Sequence, residues 1–110
     1  MKTLNNVQLI GYLGRDPVIK EYTPGNPMAI IRLATHTYSQ PKEGEPIEFT
    51  QWHTVIMWGQ EEINKWRNYL VKGSHIMVVG QIVYRSFIGS SGKTHFVTEI
   101  KANYLVDLDR

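Results

Sequence analysis

The sequence predicts an all-β fold with a single helix, built as one domain. Three features predict it. Apolar and polar residues alternate with period two in several segments, clusters of Gly, Pro, Asn and Asp separate those segments, and one window alone carries a helical period. A chain of 110 residues holds one core and is too short for two.

The elements follow in order. "NNVQLIGYLG" sets Val7, Leu9 and Leu13 on one face and Gln8, Ile10 and Tyr12 on the other, a half-buried strand. In "RDPVIKEYTPGNP", Asp16-Pro17 and Pro24 to Pro27 read as turns around a short extended piece. "MAIIRLATHTY" is a second strand, and the charged loop "SQPKEGEP" leads into a third, "IEFTQWHTVIMWG". "GQEEINKWRNYLVKG" then predicts a three-turn helix. Ile63, Trp66 and Leu70 recur at helical spacing, Glu61 and Glu62 suit its positive end, and Lys72-Gly73 suits its stop. "SHIMVVGQIVYRSF" and "THFVTEIKANYLV" are the last two strands, with Gly89 to Gly92 at the tip of the long hairpin that joins them. The order strand, strand, strand, helix, strand, strand is that of an oligonucleotide/oligosaccharide-binding (OB) fold, a five-stranded Greek-key barrel with its helix between strands three and four.

Composition narrows the class. With 42% hydrophobic and 20% charged residues the chain is neither disordered nor fibrous. No apolar run approaches the ~20 residues of a membrane span, and the N-terminus lacks the pattern of a signal peptide, so a cytoplasmic protein is expected. The absence of cysteine removes disulfides and thiolate chemistry. A formal charge of +2 is compatible with a polyanionic partner without requiring one.

"GSSGKT" invites a nucleotide-binding reading, which the spacing rejects. A phosphate-binding loop needs a glycine where Phe87 stands, the distance from Gly89 is too short, and the following "THFVTEI" is strand-like instead of helical. His36, His53, His75 and His95 have no metal-ligand spacing, and "GSSG" is no nucleophile elbow. No catalytic residue, cofactor or metal is expected, and the chain is not read as an enzyme.

What remains is aromatic. In the third strand Trp52, Thr54, Ile56 and Trp58 point one way and His53, Val55 and Met57 the other. If the second set faces the barrel interior or a subunit contact, two tryptophans stand on an outer surface. Exposed rings beside cations are what a single-strand nucleic-acid binder needs, each stacked base contributing roughly 1–3 kcal/mol. Phe87 near the hairpin tip adds a third ring, and Tyr12, Tyr22, Tyr38 and Tyr84 are further candidates.

"NNVQLIGYLGRDP", "LATHTY", "QWHTVIMWG", "YLVKGSHIMVVGQI" and "SSGK" stand in the order and near-spacing of bacterial single-stranded DNA-binding proteins, which the chain resembles from about Asn5 to Leu105. The resemblance implies sequence-independent binding of single-stranded DNA during replication, recombination and repair. It also implies a homotetramer, with a dimer as the alternative, in the bacterial cytoplasm and associated with the nucleoid. It assigns base stacking to Trp52, Trp58 and Phe87, and a subunit-interface position to His53. Lys20, Lys72, Arg85 and Lys93, with Arg15, are the expected phosphate contacts.

The chain departs from the family pattern in places. Ser39 replaces a tryptophan common after "LAT", and Tyr38 beside it is the substitute. Thr54, Gln60 and Ser86 stand where relatives often carry bases, so a thinner cationic groove and a shallower salt dependence are expected. The sequence ends at "LVDLDR", after the last strand and without the flexible linker and acidic tip of relatives. On that reading the single domain of residues 1–110 is either a tailless form or a truncated one, and recruitment of the usual tail-mediated partners is in doubt. The alternative is a primosomal-type tailless OB protein that binds both single strands and replication-restart proteins. An OB module for protein or sugar, its tryptophans in an interface or saccharide cleft, is also compatible with the fold alone.

Overall fold

A computed structural model describes residues 2–109, with the backbone alone of Tyr22. The chain runs β1 (Val7–Leu13), β2 (Val18–Thr23), β3 (Asn26–Ser39), β4 (Ile47–Trp58), α1 (Gln60–Trp66), β5 (His75–Ile88) and β6 (Thr94–Asp107). β1 pairs antiparallel with β5 from Val7–Gly80 to Tyr12–His75, then reaches β3 at Tyr12–Ala34 and Leu13–Leu33. β3 pairs with β4 along its length, β4 meets β6 in parallel at Val55–Ile100 and Ile56–Lys101, and β6 pairs with β5. The circuit β1, β3, β4, β6, β5 and back to β1 closes a five-stranded barrel, the expected OB fold.

The short extended piece is a sixth strand, β2, in a tight hairpin with β3. It lies outside the barrel circuit, because only β3 offers it a hydrogen-bonding edge. The helix is shorter than expected. Its regular part is seven residues long, against the three turns expected. Beyond Trp66 the chain tightens, with the Tyr69 and Leu70 amides both donating to the Trp66 carbonyl. This turn brings Leu70 into the core and lets the Gly73 amide donate to the Leu13 carbonyl at 2.8 Å. The apolar period continues to Leu70, whereas the helical hydrogen bonding ends earlier. No helix among the described residues is long and apolar enough to cross a membrane.

The core is the barrel interior. Leu13, Ile31, Leu33, Val55, Ile76 and Val78 are buried there, with Ile63 of α1 closing one end. Closure depends on Gly11, where β1 passes from β5 towards β3. A Cβ at Gly11 would overlap the Ala34 carbonyl oxygen and come within 3.0 Å of its carbon. At the other end the strands outrun the barrel as two arms, β3–β4 and β5–β6. The second is capped as expected at 89–92, the Gly89 amide donating to the Lys93 carbonyl at 2.9 Å and the Gly92 amide to the Gly89 carbonyl at 3.0 Å.

Candidate nucleic-acid interface

Register assigns the residues to faces. Val55 and Met57 lie in the core, so Trp52 and Trp58 of the same strand look outward. The cross-strand pairs continue that outer face: Trp52 beside Ala34, Thr54 beside Arg32, and Trp58 beside Met28, which pairs in turn with Lys20. Through Ile56–Lys101 it passes to β6 and β5, where Arg85 and Phe87 share it. One face of the sheet therefore carries Lys20, Trp58, Trp52, Arg85 and Phe87, with Met28 and Ile56 buried between them.

Trp52 is 51% exposed, and the Cζ3–Cη2 edge of its indole is packed against Gly14. A Cβ at Gly14 would come within 2.5 Å of the ring atom Cη2, so only glycine lets the ring lie so low. Arg15 and Arg32 line the same open cleft, of about 200 Å³, with the Arg32 guanidinium 5.7 Å from the ring centroid. Arg32 Nη1 also donates to Thr54 Oγ1 at 2.7 Å. A planar apolar ring with one guanidinium over it and a second in the same cleft can stack a base and bring cations to the attached phosphates. Trp58, half-buried and about 20 Å along the strand, borders a second cleft of about 240 Å³ with Glu62, Lys101 and Asn103.

The other expected residues are distributed around this surface. The Lys72 amide donates to Asp16 Oδ1 at 2.8 Å, which fastens Lys72 to the corner that bears Arg15. Lys20 is exposed on β2 and Lys93 at the tip of the β5–β6 arm. Arg85 is engaged: its Nε and Nη2 donate to the two carboxylate oxygens of Glu99 at 2.7 and 3.1 Å, and Glu99 is only 4% exposed. Phe87, 45% exposed, lies 5.9 Å from that guanidinium. Tyr38 is 70% exposed but stands on the β3–β4 arm, four residues beyond the Ala34–Trp52 pair. Among the further candidates, Tyr12 is stacked on His75 at 4.5 Å and Tyr84 projects from the opposite face of its arm to Phe87. The Tyr22 side chain lies outside the described residues.

His53 points inward beside Leu33 at the barrel rim, its Nε2 2.8 Å from Thr35 Oγ1. Burial, and secondarily the charge of Arg32, push its imidazole below the usual histidine range. Among the described residues no group of three or more acidic or histidine side chains could hold a metal.

Two cations of the site were not foreseen from sequence, Arg32 and Lys101. Arg32 supplies from β3 a guanidinium beside the position where Thr54 lacks one. Its signal was available, a lone charge inside the apolar strand "MAIIRLA".

A closed OB barrel with outward aromatic rings and flanking cations defines an OB-fold binding module. The chain matches the single-strand binding protein family over residues 4–108, and it belongs to that family. The single-stranded DNA-binding protein of Xylella fastidiosa is 41% identical over 101 residues, covering 91% of this chain and 60% of the relative. That of Rhizobium meliloti is 33% identical over 99 residues, covering 89% of this chain and 57% of the relative. The chain thus spans less than two thirds of the length of these curated relatives. Among solved structures, the Plasmodium falciparum SSB in complex with ssDNA superposes with a TM-score of 0.84 at 31% identity, covering 99% of this chain and 98% of the other. A deletion mutant of the Thermus aquaticus single-stranded DNA binding protein gives 0.80 at 27% identity, covering 96% of this chain and 50% of the other.

Proposed function

We propose that this chain binds single-stranded DNA without sequence preference, bases stacking on Trp52, Trp58 and Phe87, with Tyr38 extending the track along the β3–β4 arm. Arg15, Arg32, Lys20, Lys72 and Lys93 contact phosphates. The observation that carries this reading is the half-exposed indole of Trp52, its Cζ3–Cη2 edge seated against Gly14, with Arg15 and Arg32 in the same cleft. The kinship to a structure solved with ssDNA supports it. Arg85 holds the buried Glu99 carboxylate and so contributes less to phosphate binding than cations not paired with a carboxylate.

The protein acts as a homo-oligomer. In support, β1, β5 and β6 expose a contiguous apolar face with Ile10, Tyr12, Tyr104 and Val106, uncovered in the single chain. For His53, at the barrel rim beside Thr35, a subunit-contact position is what the resemblance implies. In the cell the protein protects single strands during replication, recombination and repair, in the cytoplasm and at the nucleoid.

Titrating tryptophan fluorescence with oligo-dT and with duplex DNA, at low and high salt, tests the reading. Strong quenching by oligo-dT alone, only partly reversed by salt, is expected. No quenching by either nucleic acid would sink it.

A further inference from the structure

The β5–β6 arm carries a second ring that no family role assigns. His95 stands directly opposite Phe87 in the antiparallel register. Its imidazole stacks on the phenyl ring at 5.1 Å between centroids and 19° between planes. The Nε2–Cδ2 edge of the imidazole also meets Gly89, where a Cβ would come within 2.7 Å of Nε2 and 2.9 Å of Cδ2. Held by Phe87 and by the bare backbone of Gly89, His95 has a fixed orientation although it is exposed.

This arrangement changes what an incoming base meets. One face of Phe87 is taken by His95, and the Arg85 guanidinium, anchored on Glu99, lies 5.9 Å from its centroid. The exposed aromatic surface at this point of the arm is therefore shared with the imidazole. Lys93, exposed in the turn two residues before His95, supplies a cation near the tip for the adjoining phosphate.

We propose that His95 is a base-stacking residue, so that the platform on the arm is the Phe87–His95 pair, taking one nucleobase of a single strand of any sequence. The inference rests on the single-strand reading above. A stacked aromatic contributes at the level known for base platforms. Phe87 is partly uncovered when the imidazole is removed, so the expected loss is at the low end, about fivefold in affinity for His95→Ala. His95→Phe retains binding.

The test follows the histidine Cε1–H resonances of the whole protein while oligo-dT is added, the His95 signal being identified by its loss in His95→Gln. Tryptophan quenching is recorded in the same titration. The expected result is a saturating shift of the His95 signal in parallel with the quenching, and the fivefold loss in His95→Ala. Full quenching with a stationary His95 signal, and His95→Ala binding within twofold of the wild type, would overturn the proposal. The pair would then be a cross-strand contact that only stiffens the hairpin. Absence of quenching in the wild type would overturn the single-strand reading itself, and is told apart by the tryptophan signal.

Discussion

Gly14→Ala isolates the seat of Trp52 from the rest of the fold. The added Cβ would sit 2.5 Å from Cη2, whereas ordinary contact begins at 3.4 Å, so the ring must move by about 1 Å. Nothing in the backbone resists the substitution, because the φ of Gly14 is one that L-residues adopt. The indole is half-exposed and tilts towards solvent instead of pressing on the core. Stability should stay within about 1 kcal/mol of the wild type, since reduced freedom of the unfolded chain offsets much of the displacement. Binding is different. Complete loss of a stacking ring costs roughly 1–3 kcal/mol, and a tilted ring that also leaves Arg32 should lose about 1 kcal/mol, some fivefold in affinity. Oligo-dT titration by fluorescence and thermal melting in the same buffer check both halves. Unchanged affinity with unchanged quenching would refute the argument that the floor at Gly14 sets the ring. Gly11→Ala is the contrasting control: its Cβ meets the backbone carbonyl of Ala34, which cannot move away, so a loss of about 3 kcal/mol or more is expected.

Arg32→Ala should weaken oligo-dT binding and reduce the salt slope by about 0.7, one phosphate contact on a single strand; an unchanged slope in a salt titration would remove Arg32 from the phosphate path. Arg85→Ala leaves the Glu99 carboxylate buried without its bidentate partner, and urea unfolding should show a loss of about 1–3 kcal/mol, less than for a fully buried pair because Arg85 is partly solvated. The lowered pKa of His53 means that the unfolded chain takes up the proton first as pH falls, so stability is full above the ordinary value of 6.5 and declines as pH drops below it. Melting temperatures of the wild type and His53→Asn should therefore diverge less below that pH than above it, and parallel curves would count against a partly buried, neutral His53.

The barrel was legible because its walls obey period two. In β4 the alternation separates His53, Val55 and Met57 from the two tryptophans, and the structure puts Val55 and Met57 in the core and Trp52 on the outside. β2 read only as an extended piece, since Lys20 and Glu21 give it no buried face and it pairs along one edge. The helix was overextended because Leu70 keeps the apolar spacing after the hydrogen bonds have shifted to a tighter turn. Trp52, Trp58 and Phe87 could be singled out within their own strands. Lys101 and His95 could not, because each matters through a neighbour on another strand, Ile56 and Phe87 respectively; Arg32 stands out as a lone charge in its own strand, but its place beside Thr54 does not.

That difference bears on how cations should be counted in this family. Position by position, Thr54 looks like the loss of a base beside Trp52, and a weaker electrostatic grip follows. Directly opposite residues of an antiparallel pair lie about 5 Å apart at Cβ, so a guanidinium on β3 reaches the same space as one on β4. Arg32 does so, bonding Thr54 Oγ1 while lying against the indole. Threonine is then a suitable partner, short enough to leave room and able to accept the hydrogen bond. Replacing Thr54 with arginine would place two like charges opposite each other, which is destabilising, and should add less to binding than the formal charge suggests.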